Sequence, residues 1–483
     1  MLRRLLATFP HNFWQNDRQQ SLLIVALSLI TSLWLWLEGG RVLDVESLQA
    51  LWYANHTPHN LFEQLLVPLA RNPDLAVAVM AALSTFSLWL FCRLARLTGI
   101  GAQTTFILFL LLNFNPEYND VRLQISRFQP VLILWLCGLY LFLAHYKNHI
   151  HLAFLGWAIP SWLAALFVPV SAFWAGGFPL LFLLWPGRGN WQQRLCERGR
   201  FLLAYYALII IAIACVPQWR QTVSDWLPKM LQQIDMTRSE FSFLINADNP
   251  VELSIFEGIL VSLVLIALNA VKIMGPLIAV LALLALRPQH SQQTVLEKRV
   301  RLLHSCSLVW LGSMAALAYL YYGSLPSDLF YTPFTMLTLW LASGVVFDAL
   351  QRVKSERIPP ERRLILIWLM VACALASIIT FGPRATYLRQ AGEWAQAQTP
   401  VGAIYSNNLT ALGYSGRPPF LDGQAYIDME HPRQEYFELT PDDLLIHIKN
   451  RKQPEPQDLD FFDILAEYHN ERGDKAYILR VKP

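Results

Sequence analysis

At 483 residues, with 54% hydrophobic and only 15% charged side chains, the chain is too apolar and too sparsely charged for an ordinary water-soluble protein of its length. Its mean hydropathy of +0.34 agrees. A net charge of +3 excludes the global basic field that recruits nucleic acid, and six cysteines without a CxxC pair give neither a disulfide framework nor a cysteine-built metal site.

A bilayer core takes about 20 apolar helical residues to cross, because no backbone amide goes unpaired in lipid. By that measure about eleven spans are expected, near 21–37, 74–94, 103–114, 129–145, 152–168, 171–186, 201–217, 257–286, 304–322, 330–350 and 364–381. The first lacks a small-residue cleavage site and is read as a retained anchor. The pair over 152–186 is interrupted by Pro160, Pro169, Gly176 and Gly177, so it reads either as two short tilted helices or as one span and a re-entrant piece.

Positive charge orients this count, since cytoplasmic loops hold the excess of Lys and Arg. With the N-terminus inside, nineteen such residues fall in inner segments, Arg93, Arg96, Arg194, Arg198, Lys298 and Arg363 among them. Seven fall outside: Arg41, Arg71, Arg122, Arg127, Arg220, Lys229 and Arg238. The expected topology is therefore N-terminus in, C-terminus out. Residues 1–383 form the membrane domain. From about Arg384 the composition turns to mixed charge, turn pairs such as Pro418-Pro419 and Asp422-Gly423, and alternating stretches such as Lys475 to Val481. Residues 384–483 thus read as a small α+β domain outside the cytoplasm.

Candidate chemistry lies in the outer loops. The first carries Glu38, Asp44, Glu46 and Glu63 beside the membrane surface. A carboxylate pressed against lipid resists ionisation, the condition a general base working near neutral pH requires. The same acids serve equally well as helix caps in a hydrated loop. The second outer loop packs Glu117, Asp120, Arg122 and Arg127 into a dozen residues before the fourth span. Arginine forks hold phosphate oxygens bidentately, so either Arg suits a lipid phosphate; headgroup snorkelling is the plain alternative. A third outer segment, 218–252, spaces its aromatics like a helix lying along the interface. Lys272, beside Gly275-Pro276, is the one basic residue expected within the membrane, where it is functional unless it snorkels. His145, His149 and His151 read as a solvated rim rather than a metal site. There is no P-loop, HExxH, GxSxG or dinucleotide fingerprint.

Taken together, the layout resembles the GT-C superfamily of membrane glycosyltransferases, to which protein O-mannosyltransferases and the bacterial aminoarabinose transferase belong. Asp44-Val-Glu46 stands where that family has adjacent acids, and Arg127-Phe-Gln-Pro130 resembles its Arg-x-Asp entry to the fourth span. The stretch from Glu393-Trp394 through Tyr405 and Asn408 to Tyr414-Ser-Gly-Arg417 is similar to the start of its outer domain. Tyr321 to Tyr331 is similar to the loop before a late span that often carries His-x-Arg-Tyr. This chain departs from the pattern at Val45, which splits the acids, at Gln129, where an acid is usual, and at Leu329 and Phe330, where a basic residue is expected.

The resemblance implies an inverting, metal-independent glycosyltransferase of the bacterial inner membrane, needing no cofactor. It would move a sugar from a polyprenyl-phosphate donor to a glycan, lipid or protein acceptor at the outer face. Asp44, or failing it Glu46, would be the base. Arg122, Arg127 and Lys272 would hold the donor phosphate, and Glu117, Asp120, Asp328 and Tyr331 would lie on the acceptor side or support the site. The rival readings are a transporter or flippase for a lipid-linked substrate, a polysaccharide polymerase or ligase, and a non-catalytic relative.

Overall fold

The structure is a computed structural model. It describes residues 16–39, 41–58, 60–145, 149–168, 191–215, 224, 255–285, 332–354, 385–398, 402–416, 439–453 and 459–482. The spans expected at 171–186, 304–322 and 364–381 lie outside these residues, as does the interfacial segment 218–252 apart from Ser224. In chain order the described elements begin with α1 (Asp17–Glu38), α2 (Val45–His56), α3 (Leu61–Ala70), α4 (Pro73–Leu97), α5 (Ala102–Asn113) and α6 (Pro116–Val121). They continue with α7 (Phe128–His145), α8 (Ile150–Phe167), α9 (Trp191–Cys215), α10 (Ile255–Ala285), α11 (Thr332–Leu341) and α12 (Ser343–Lys354). The last are α13 (Thr386–Ala397), β1 (Ile404–Ser406), α14 (Leu409–Tyr414), β2 (Leu444–Lys449), β3 (Phe462–His469) and β4 (Lys475–Val481).

The chain divides into two compact units, the first made of Met1–Ser28, Leu83–Arg122 and Arg127–Ala374, the second of Leu29–Ala82, Leu123–Ser126 and Leu375–Pro483. Among the described helices α1, α4 and α7 are long and apolar enough to cross a membrane. This is a helical membrane protein that ends in a small sheet. With 12 residues, α5 is about 18 Å long against a hydrocarbon core of ~30 Å, because Asn115 and Pro116 start a new helix immediately after it. Where one span was expected at 330–350, α11 and α12 meet at Ala342.

The first unit is held by a continuous apolar core that includes Leu88, Phe91, Leu94, Leu108, Phe109, Leu112 and Leu136. Helices α7 and α8 approach closely because both present glycine. A Cβ on Gly156 would meet Leu141 Cβ at 2.7 Å, and one on Gly138 would meet the Trp157 ring at 3.0 Å. Small residues at such a contact let apolar helices gain packing that lipid cannot supply. Pro160 sits inside α8 without ending it. Helix α10 is broken at Gly275, where φ 74° and ψ 161° leave the helical region. Only glycine takes such angles without strain.

In the second unit the chain's C-terminal part forms a four-stranded sheet of order β1-β2-β4-β3. Strand β1 runs parallel to β2, and the other two pairings are antiparallel. Alternation along β2 sends Leu444, Ile446 and Ile448 into a core with Ile404, Ile478, Leu388, Ala391 and Leu412, while Leu445 packs with Phe462, Tyr477 and Leu479. Helices α13 and α14 touch where Gly392 faces Ala411 and Tyr414, and a Cβ there would overlap both. At the turn between β3 and β4 the Asp474 carboxylate accepts from the Arg451 amide (2.8 Å) and Asn470 Nδ2 (2.7 Å). Gly473 supplies the positive φ of 92° that this turn needs.

Candidate functional site

The segment that follows α1 is helical. Asp44 is the N-cap of α2: its Oδ1 accepts from the Ser47 amide at 2.7 Å, which fixes the carboxylate's rotamer at the head of a helix. Asp44 and Glu46 are both exposed and are not enclosed by the described protein residues. Gln124 Nε2 donates to Glu46 Oε2 (2.7 Å), and the Ile125 amide donates to Ser47 Oγ (2.8 Å), so the short segment 123–126 lines the first turn of α2.

The turn that delivers Asp44 to its helix is held from the C-terminal part of the same unit. Arg41 has φ 58°, a left-handed conformation that costs a non-glycine residue about 1–2 kcal/mol. Its carbonyl accepts from Arg389 Nη1 (3.2 Å), while Arg389 Nε bonds Glu393 Oε1 (2.7 Å) one helical turn along α13. The Leu43 amide donates to the Tyr414 hydroxyl at 2.7 Å. Gly413 lies on Leu48, whose Cδ1 would stand 2.9 Å from an added Cβ. Burial raises the Tyr414 phenol above its usual range, opposed by the Leu43 amide and by Arg389. The hydrogen bond to Glu393 is the main reason the Arg389 guanidinium is raised.

Residues 113–122 and 127–130, between α5 and α7, belong to the first unit. Asn115 caps α6 by accepting from the Tyr118 amide (2.9 Å), and its Nδ2 donates to the Met274 carbonyl (2.8 Å) that the break at Gly275 frees. Tyr118 shares hydrogen bonds with Ser84 and Ser87. Arg122 is fully buried. Its Nη1 donates to Asn113 Oδ1 and Asn119 Oδ1, both at 3.1 Å, and its Nη2 to the Ser28 carbonyl (3.0 Å) and Ser28 Oγ (2.7 Å). Its Nε has no hydrogen-bond partner among the described residues. These hydrogen-bond partners are all neutral, and burial pushes the guanidinium down to about 10, with Tyr118 acting the other way. Gln129 is also buried; its Nε2 donates to the Val121 and Arg122 carbonyls at 3.3 and 3.4 Å.

The other expected site residues are placed as follows. Arg127 is half-buried with its guanidinium 5.9 Å from the Phe128 ring centre. Lys272 and Asp120 are exposed, and Glu117 lies within α6. Asp328 and Tyr331 fall outside the described residues. Asp44 and Glu46 therefore belong to the second unit, and Arg122, Arg127, Lys272, Glu117 and Asp120 to the first. The described residues assemble no group of three His, Cys, Asp or Glu able to hold a metal ion. His145 Nδ1 lies 2.9 Å from the Leu141 carbonyl oxygen.

Sequence reasoning did not find Tyr414, Arg389, Gln124 or Asn115 as functional. Asn115-Pro116 carries a readable helix-start signal, and so does Asp44 three residues before Ser47. Nothing local marks Tyr414 or Arg389, which lie 371 and 348 positions from their partners in the first loop.

No family model matches the sequence, and no curated protein matches it. Among solved structures, the chain is similar to the crystal structure of ArnT from Cupriavidus metallidurans in the apo state, with 10% identity over 95% of this chain and 97% of that one and a TM-score of 0.36. A superposition of that quality assigns neither a family nor an activity.

Proposed function

We propose that this protein is a glycosyltransferase of the bacterial inner membrane that moves a sugar from a polyprenyl-phosphate donor to an acceptor hydroxyl at the outer face, with inversion and without a metal. The observation that supports this reading is Asp44: an exposed carboxylate, fixed as a helix cap, a few residues after a helix able to cross the bilayer. In the proposed reaction Asp44 takes the proton of the acceptor hydroxyl as its oxygen attacks the anomeric carbon. The bond from that carbon to the phosphate oxygen breaks, and the lipid phosphate leaves with the electron pair. Glu46, bonded to Gln124, is the reserve base. Arg127 rather than Arg122 would neutralise the leaving phosphate, since the terminal nitrogens of Arg122 already donate to protein oxygens. On this reading Lys272 would assist at the lipid phosphate, while Glu117, Asp120, Asp328 and Tyr331 would lie on the acceptor side.

The test is transfer of radiolabel from a panel of undecaprenyl-phosphate hexoses and pentoses into lipid, glycan or protein in vesicles containing the purified chain. Asp44→Asn should lower the rate by ~10²–10⁴-fold. Transfer at the parent rate would remove Asp44 from the mechanism.

A transporter or flippase is the second reading, and the break in α10 supports it. A helix interrupted at Gly275 within a long apolar stretch, with its freed carbonyl bonded by Asn115, is the kind of element that lines a substrate path. The same vesicles separate the two, because label that crosses the bilayer without changing its covalent partner favours transport.

A further inference from the structure

We propose that the C-terminal part of the chain acts as a clamp that sets the geometry of the candidate base, with Tyr414 and Arg389 as positioning residues for Asp44. This rests on the reading of Asp44 as base, and it assigns the terminal sheet domain a role in the chemical step rather than in acceptor binding alone.

The argument begins with the backbone. The chain leaves α1 at Glu38 and begins α2 at Val45 with Asp44 as its cap. It does so with Arg41 in a left-handed conformation that a long side chain disfavours. Conformations of that kind persist only where the surroundings over-determine them. Here two bonds arrive from the distant domain, one on each side of Val42: Arg389 holds the Arg41 carbonyl and Tyr414 holds the Leu43 amide. Leu43 is buried, so its amide without Tyr414 would lose its partner away from water. Gly413 lets α14 settle directly on Leu48 of α2, closing the third contact.

The two clamp residues are themselves fixed. The ion pair with Glu393, one helical turn along α13, aims the Arg389 fork at Arg41. Tyr414 is the last residue of α14, whose first turn is capped by Asn408 through the Thr410 and Ala411 amides. Because the Asp44 rotamer is locked to Ser47, any shift of the 41–43 turn is passed directly to the carboxylate. Catalytic groups lose activity steeply when misplaced by as little as an ångström.

Two readouts on the full-length protein in lipid nanodiscs test this. Tyr414→Phe keeps the ring and removes only the oxygen that accepts from Leu43. Amide exchange over 41–48 should then quicken about fivefold while α7 is unchanged. In transfer from undecaprenyl phosphate carrying a radiolabelled hexose or pentose, kcat should fall on the order of tenfold with KM within about twofold. Arg389→Ala, at a partly exposed position, should act the same way, and the double variant should fall short of the product of the two. Unchanged exchange in both variants overturns the clamp. Faster exchange with kcat intact, while Asp44→Asn is inactive, overturns the positioning role. A fully active Asp44→Asn overturns the base itself, a failure that the exchange data cannot imitate.

Discussion

Two charged residues stand out in the loops between the apolar runs of the sequence, and the structure treats them in opposite ways. Arg122 is sealed in the first unit, its terminal nitrogens spread over Asn113, Asn119 and Ser28. Asp44 is exposed in the second unit, at a turn held by Arg389 and Tyr414. The first is a strut: its charge is spent on joining α1, the end of α5 and α6. The second is presented outward by a scaffold that fixes the backbone and leaves the carboxylate reachable. A charged residue beside a membrane is thus not a site by virtue of its charge. Access, together with a fixed rotamer, distinguishes a reacting group from a structural one.

The contrast can be broken most severely at the strut. Arg122→Met should destabilise the protein by about 3–5 kcal/mol, because four buried hydrogen bonds to Asn113, Asn119 and Ser28 would be lost together. Thermal unfolding in detergent would show it as the largest loss of any single change named here. Arg122→Lys should recover only part of the loss, since one ammonium cannot reproduce a planar fork reaching four acceptors. Full stability of either variant would mean that Arg122 is not structural.

At the clamp the expected loss is smaller. Gly413→Val drives side-chain carbons into Leu48 and should cost about 1–3 kcal/mol, read as easier proteolytic cleavage between α1 and α2. Ser47 offers a finer probe. Ser47→Ala keeps the amide that binds Asp44 but leaves the Ile125 amide without its acceptor, at a cost of about 1 kcal/mol. It should loosen segment 123–126 more than the Asp44 cap. Hydrogen exchange over the two segments separates the two effects.

The smallest effect is one of pH, at the far end of the sheet. The bond from the Arg451 amide, then that from Asn470, holds the Asp474 carboxyl below the usual carboxylate range. A carboxyl lower in the folded than in the unfolded state adds stability that is complete above the unfolded value and is lost as pH falls below it. Unfolding of the sheet followed by circular dichroism should therefore steepen below about pH 4. Asp474→Asn should flatten that dependence.

How much of this was readable in advance follows the range of each interaction. Apolar runs announced α1, α4 and α7, and alternation announced β4, because both patterns are periodic and local. The third apolar run, expected at 103–114, is the short helix α5, and the Asn115-Pro116 pair that follows it starts α6. The break at Gly275 was marked by Gly-Pro, yet its consequence, a carbonyl taken up by Asn115, spans 159 positions. Arg122 was singled out to hold a donor phosphate, and burial against asparagines from its own neighbourhood has no signature in the sequence distinct from exposure. The clamp was invisible for a stricter reason. Tyr414 and Arg389 act on backbone atoms of Leu43 and Arg41, so the side chains at those two positions carry no trace of the pairing.

The central claim is that Asp44 is the accessible, geometrically fixed group that removes a proton from the acceptor. Its most direct measurement is the initial rate of sugar transfer from an undecaprenyl-phosphate donor by Asp44→Asn in reconstituted vesicles, at matched protein level and with intact exchange over 41–48. The account predicts a fall of ~10²-fold or more in kcat with KM little changed. A rate within twofold of the parent would contradict it.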